Sequence, residues 1–233
     1  MLDSTPQRLG SFYLEDLSIV ALAASADQNI SPMLPELDEA RRARLRSRIK
    51  QLGRHNWPSS LYGDPLLRRG YTLRQCCRLI ATLMLLDAHL APSDAIALAQ
   101  ANELSILRAI APRLETVIVG RSLVSAADLL MVVPLGELVD LVAAEQWRKF
   151  QPQAIRLVRR RDLSSLWSAD AELQFPGQRL VLDIGLAVST AWLWMRERRL
   201  MTDIAVEALL DEVGAAEKSP GYSGPTAPIF RQR

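Results

Sequence analysis

Thr72-Leu73-Arg74-Gln75-Cys76-Cys77-Arg78-Leu79-Ile80-Ala81-Thr82-Leu83-Met84-Leu85-Leu86 is the stretch on which the fold turns. Thr72 and Gln75 stand at capping-box spacing, where a threonine oxygen accepts from the third backbone N–H and a glutamine reaches back to the cap. Beyond them Leu73, Cys76, Ile80 and Met84 fall on one helical stripe, and Leu79, Leu83, Leu86 and Leu90 on a second beside it. A helix apolar on two adjacent stripes is mostly buried, which leaves Arg74 and Arg78 exposed near its start. Ala91-Pro92 opens the next helix, with proline at the first position and Asp94 near the positive end. Ile96, Leu98, Ala99, Leu104 and Leu107 carry that helix to about residue 110.

Upstream lies an unusual concentration of charge. Between Ala40 and Ile80 the basic residues are Arg41, Arg42, Arg44, Arg46, Arg48, Lys50, Arg54, Arg68, Arg69, Arg74 and Arg78, and the only acid is Asp64. The segment therefore carries +10 inside a chain of net charge +2, and the remainder carries −8. A helix is expected from Glu36 to Leu52: Pro35 precedes it, Glu36, Asp38 and Glu39 fill the first turn, and Gly53 ends it. Leu45, Ile49 and Leu52 form a narrow apolar seam, with Arg41, Arg44 and Arg48 on one side and Arg42, Arg46 and Lys50 on the other. Such a helix anchors to a core by its seam and presents charge on both flanks, the footprint of a phosphate-backbone binder. A solvated face, or pairing with the acidic remainder of the chain, accounts for the same pattern. A second basic cluster stands at Arg148, Lys149, Arg156, Arg159, Arg160 and Arg161.

Between the basic helix and Thr72, the elements Trp57-Pro58, Gly63-Asp64-Pro65 and Arg68-Arg69-Gly70 are turn signals mixed with aromatic and basic residues. Ahead of it, Phe12, Leu14, Leu17, Val20 and Leu22 suit a short amphipathic helix docked on the body, and residues 28–35 read as a connector. Downstream the character changes. Leu114–Val119 and Leu129–Val133 read as strands, bounded by Gly120 and Pro134. Gly136–Ala144 reads as a helix, Leu163–Trp167 is ambiguous, and Arg179–Ile184 reads as a third strand. Gly185–Met201 follows as an apolar helix with Trp192 and Trp194, better suited to a core or subunit interface than to a ligand box. A last helix spans about 202–213, and the Pro- and Gly-containing tail from residue 214 is expected to be disordered.

The 233 residues are 49% hydrophobic and 23% charged, which excludes a disordered or collagen-like chain over most of the length. Adjacent Cys76 and Cys77 make neither a disulfide framework nor a zinc-ligand spacing, so a reducing, cytoplasmic setting is expected. No secretory signal is read at the start, and the apolar runs 184–195 and 79–86 fall short of the roughly 18–20 residues of a membrane span. The two histidines, His55 and His89, lie far apart without metal-ligand spacing, and no nucleophile-elbow, phosphate-loop or zinc-protease motif is present. Asp183, at the end of a strand, is a conceivable catalytic carboxylate but is more readily a structural one. No catalysis, cofactor or metal is expected.

Arg69-Gly70-Tyr71-Thr72-Leu73-Arg74 through Leu86-Asp87-Ala88-His89-Leu90-Ala91-Pro92-Ser93-Asp94-Ala95-Ile96 resembles the wing and following helix pair of the MerR-type winged helix-turn-helix family. His89 stands where that family usually has glycine. The family's Thr-x-Arg-Tyr-Tyr-Glu recognition-helix signature and its long dimerisation coiled coil are missing. The resemblance covers about 30 residues and implies a sequence-specific DNA-binding regulator acting as a homodimer on double-stranded DNA, with Arg68, Arg69 and Tyr71 in the wing and Arg74 opening the next helix. The charge pattern adds Arg41, Arg44, Arg48 and Arg54.

The expected architecture is mainly α with a small α/β C-terminal part and a winged helix-like N-terminal module. Its parts are an arm and connector (1–35), a DNA-binding module (36–112), a small α/β dimerisation or sensing part (113–213) and a tail (214–233). The competing expectation is a protein-interaction or assembly adaptor, of a phage-like structural or scaffold kind, whose basic helix docks on an acidic partner. A small-molecule effector would need a pocket near Trp192.

Overall fold

A computed structural model describes residues 7–27, 33–58, 70–119, 129–134, 155–167 and 179–218. Within them lie seven α-helices and one three-stranded antiparallel sheet, so the chain is mainly helical with a small sheet in its C-terminal part. The helices are α1 (Leu14–Asp27), α2 (Glu39–Arg54), α3 (Leu73–Asp87), α4 (Pro92–Ala101), α5 (Glu103–Val119), α6 (Ile184–Glu197) and α7 (Asp203–Lys218). Strands β1 (Leu129–Pro134), β2 (Arg156–Arg159) and β3 (Arg179–Leu182) pair in the order β2-β1-β3. Met131 stands opposite both Leu157 and Leu182, so one face of the sheet gathers Met131, Val133, Leu157, Leu180 and Leu182 against the helices.

The core is organised by α6. Eleven of its residues are buried, among them Trp192 and Trp194, because its sequence offers almost no polar face before Arg196. Helix α1 covers one side of it and α5 another. A helix does form where one is expected near residues 12–22, but it starts at Leu14 and runs to Asp27. It packs on α6 with Leu14, Leu17, Ile19, Val20, Ala21 and Ala24 buried, while Phe12 lies ahead of it in a 3-10 turn and is exposed. Buried side chains from Leu9 to Val213 join in one cluster, and the division drawn near residue 112 falls inside α5.

Helix α3 forms as its spacing dictates. The Thr72 N–H donates to Gln75 Oε1 at 2.9 Å, the Gln75 N–H donates to Thr72 Oγ1 at 3.3 Å, and eleven of fifteen residues are buried. It ends on His89, whose φ of 67° is the left-handed conformation for which glycine is ordinarily used. Helix α2 begins at Glu39 rather than Glu36, because the Asp38 carboxylate accepts from the Arg41 N–H at 2.7 Å and is the true cap. It also runs through Gly53, and the left-handed position falls at Asn56 instead, with a φ of 56°.

Several expectations are corrected. Leu114–Val119 is no strand but the last turns of α5, with Leu114 and Val117 continuing the buried face of Ile106, Leu107 and Ile110. The helix expected from Pro92 to about residue 110 is broken at Asn102, whose side chain donates to Leu98 O at 3.0 Å and accepts from the Ile155 N–H at 2.9 Å. Arg156–Arg159, read only as part of a charge cluster, is strand β2. The ambiguous 163–167 belongs to a 3-10 helix, Arg160–Trp167. Residues 214–218, expected in the tail, extend α7. The helix expected at 136–144, Arg148, Lys149 and residues 219–233 lie outside the described residues. Among the described residues no helix is long and apolar enough to cross a membrane.

The N-terminal arm ties the front of α3 to the back of the molecule. Leu9 and Tyr71 exchange two backbone hydrogen bonds, at 2.7 and 2.8 Å, while Gln7 exchanges two with Thr202, both 2.7 Å. Gly70, at φ 104°, permits this approach: a β-carbon there would stand 2.3 Å from the Leu9 carbonyl oxygen.

Candidate interaction surface on the basic helix

Helix α2 lies on the surface, held by Leu45 and Leu52 with Ile49 partly buried between them, which is the expected seam. Its flanks are not equivalent. On the side facing α1, Arg42 reaches Glu15 at 3.2 Å and Asp16 at 3.4 Å, and Arg46 reaches Glu15 at 3.5 Å and also pairs with Glu39. The Arg42 guanidinium is held above its ordinary range chiefly by the Glu15 hydrogen bond, against the opposing effect of desolvation. Across the seam Arg41 pairs with Asp38 at 3.3 Å and Arg48 with Asp87 at 3.0 Å. Arg44, Lys50 and Arg54 are exposed and have no ion pair among the described residues. They span ten residues of helix, about 15 Å at 1.5 Å per residue.

The arginines of α3 serve the fold. Arg78 grips Glu103 with two bonds of 2.6 Å, donates to the Pro58 carbonyl at 3.3 Å and lies 5.8 Å from the Trp57 ring centroid. Arg74 meets the same Glu103 at 2.6 Å and Glu212 at 3.0 Å. Burial works against ionisation of Glu103, yet the bonds from Arg74 and Arg78 and their charges outweigh it and hold the carboxyl down at about 2. Its ordinary value is near 4.5. A carboxyl depressed in this way contributes stability above its unfolded-state pKa and loses it as pH falls through the folded one. Glu103→Gln is therefore expected to cost about 2 kcal/mol at pH 7, less than a fully buried pair because Arg74 is half in solvent and keeps Glu212. In thermal melts the gap from the unaltered chain should close as pH falls from 4.5 toward 2. A gap that widens on acidification would contradict this account.

Of the residues read as DNA contacts, Arg41, Arg44, Arg48 and Arg54 come together along α2. Arg68 and Arg69 lie outside the described residues. Tyr71 is not at a protruding tip: it is half-buried against the arm through the Leu9 bridge, and burial raises its hydroxyl pKa. Arg74 is clamped between two carboxylates. Trp57 is a core residue, donating from its indole N–H to Thr82 Oγ1 at 2.8 Å. Burial pushes the Cys76 and Cys77 thiols up, so both stay protonated and inert. In the second cluster Arg160 pairs with Asp183, Arg161 lies 3.7 Å from Asp162, and Arg159 is exposed at the end of β2.

Sequence reading missed a groove of about 320 Å³ between α1 and α2, lined by Ile19, Leu22, Ala23, Leu45 and, from the segment before α2, Pro35 and Leu37, with Arg41, Arg44, Arg48 and the carboxylate of Asp87 as its charged groups. The apolar spacing of α1 was visible, but a groove depends on where two helices separated by eleven residues come to rest. No family profile, curated protein or solved structure matches the chain, so the likeness to the MerR-type family rests on residues 69–96 alone.

Proposed function

We propose that the chain is a protein-interaction adaptor that docks an acidic partner on α2. One observation carries this reading. Six of the nine basic residues described between 40 and 80 are paired with the chain's own carboxylates, which leaves Arg44, Lys50 and Arg54 spread over the outward face of α2. Three phosphate contacts give a salt slope of only about −2.7, and five, with Arg41 and Arg48 released from their solvent-open pairs, about −4.5, against about −5 or steeper for six or more. A short, broad patch of that kind suits a cluster of carboxylates on a protein better than a long run of phosphates.

The test is fluorescence anisotropy with a labelled Glu-rich 16-residue peptide. The unaltered chain should bind it in a salt-sensitive manner. The triple variant Arg44→Glu, Lys50→Glu, Arg54→Glu should bind at least about tenfold more weakly. Its melting temperature should be nearly unchanged, since exposed side chains away from packing rarely matter beyond about 0.5 kcal/mol. No binding by the unaltered chain would end the reading. A second reading, DNA recognition as a regulator, is favoured by the same three cations, without an ion pair among the described residues, on the outward face of one helix. It expects a slope of about −3 on a 20-base-pair duplex, or about −5 if Arg68 and Arg69 join in. A slope near zero would remove it.

A further inference from the structure

The groove between α1 and α2, which shares Arg44 with that patch, has its own chemistry. Its floor is aliphatic, and the three guanidinium groups along its rim follow i, i+3 and i+7 spacing on α2, spanning about 10 Å or two helical turns. An amphipathic helix laid in such a groove presents its apolar anchors and its flanking carboxylates at the same period. The volume, about 320 Å³, sits at the low end of the roughly 300–1,000 Å³ of small-molecule sites and accommodates a few inserted side chains.

The rim is also exchangeable. Arg41 and Arg48 are engaged by Asp38 and Asp87, carboxylates whose side chains are 59% and 67% exposed. Pairs that open to solvent contribute little, so an incoming carboxylate can take either arginine with small loss. Arg44, between them, has no ion pair among the described residues. Asp38 and Asp87 thus stand at the two ends of the rim in pairs that another carboxylate can replace, with Arg44 between them.

We infer that the α1–α2 groove receives an acidic amphipathic helix of a partner protein, its apolar side chains on the partly buried Leu22, Ala23 and Leu37 and its carboxylates on Arg41, Arg44 and Arg48. This deepens the adaptor reading and rests on it, because it names the shape of the acidic partner. The test uses the full chain and two labelled synthetic 16-residue peptides of identical composition. One carries leucines at i, i+3/i+4 and i+7 flanked by glutamates; the other is scrambled so that no apolar face forms.

The amphipathic peptide should bind at least about tenfold tighter than the scramble. Ala23→Trp, which fills the groove without changing charge, should remove most of that difference. Arg44→Ala, at an exposed position that does not threaten the fold, should weaken the amphipathic peptide about tenfold and serves if the tryptophan variant folds poorly. Equal binding of both peptides, undisturbed by Ala23→Trp in a folded variant, would overturn the groove while leaving charge-based docking on α2 intact. Binding of neither peptide would overturn both.

Discussion

Asp183→Ala should destabilise the protein by about 3–5 kcal/mol, which makes this largely buried acid just after β3 one of the costliest side chains to lose. Its Oδ1 accepts the Leu186 N–H at 2.9 Å and caps α6. Its Oδ2 meets Arg113 at 3.1 Å and also pairs with Arg160. Arg113 is only 5% exposed on its side chain, so removing this carboxylate strips a counter-charge from a buried guanidinium. Gly185 makes the arrangement feasible, since a β-carbon there would stand 3.1 Å from Arg113 Cδ and 3.0 Å from the Ala109 carbonyl oxygen. Asp183→Asn keeps a capping oxygen and loses the charge. It should recover roughly the 0.5–2 kcal/mol that a helix cap contributes. Urea denaturation measures both variants, and a loss below about 1 kcal/mol for alanine would show that Asp183 is no keystone between α5 and α6. The carboxylate that the sequence left open to catalysis is fully engaged in holding two helices together.

The second large effect belongs to Trp192. It is 0% exposed on the helix that both α1 and α5 cover, so Trp192→Ala opens a cavity in the middle of the core. The expected loss is about 3–5 kcal/mol, the range for removing a large buried aromatic. At roughly 2–4 °C per kcal/mol for a chain of this size, the melting temperature should fall by about 10 °C or more. Trp192→Phe is the informative companion. The indole N–H of Trp192 has no hydrogen-bond partner among the described residues, so phenylalanine sacrifices volume without orphaning an acceptor. Its loss should stay near 1–2 kcal/mol. A phenylalanine variant as unstable as the alanine one would mean that the N–H, and not the ring volume, carries the energy.

Much of the helical part was legible because its signals are local. The Thr72/Gln75 capping box, Pro92 at a first helical position and the Leu45–Ile49–Leu52 seam each need only a few neighbouring residues to declare themselves, and each appears where expected. The misreadings share one cause. Val117-Ile118-Val119 is a β-branched run short enough to suit either period, and it is helical because α5 arrives from Ile106 and Ile110 with a buried face to continue. The Arg156–Arg159 segment has no period of its own; it is a strand because Met131 and Leu130 on β1 lie opposite Leu157 and Val158.

Charge divides along the same line. The sequence alone determined that the cations gather on one helix with an apolar seam and that an apolar, tryptophan-bearing helix lies near the C-terminal end. Only the tertiary structure decided which cations stay available. Arg42 meets acids 26 and 27 positions away, and Arg74 meets Glu212 across 138. A helical period reports which way a side chain points from its own backbone. The carboxylate that meets it is set by how whole helices pack, and on α2 that packing ties Arg42 and Arg46 to α1 and leaves Arg44, Lys50 and Arg54 without an ion pair among the described residues.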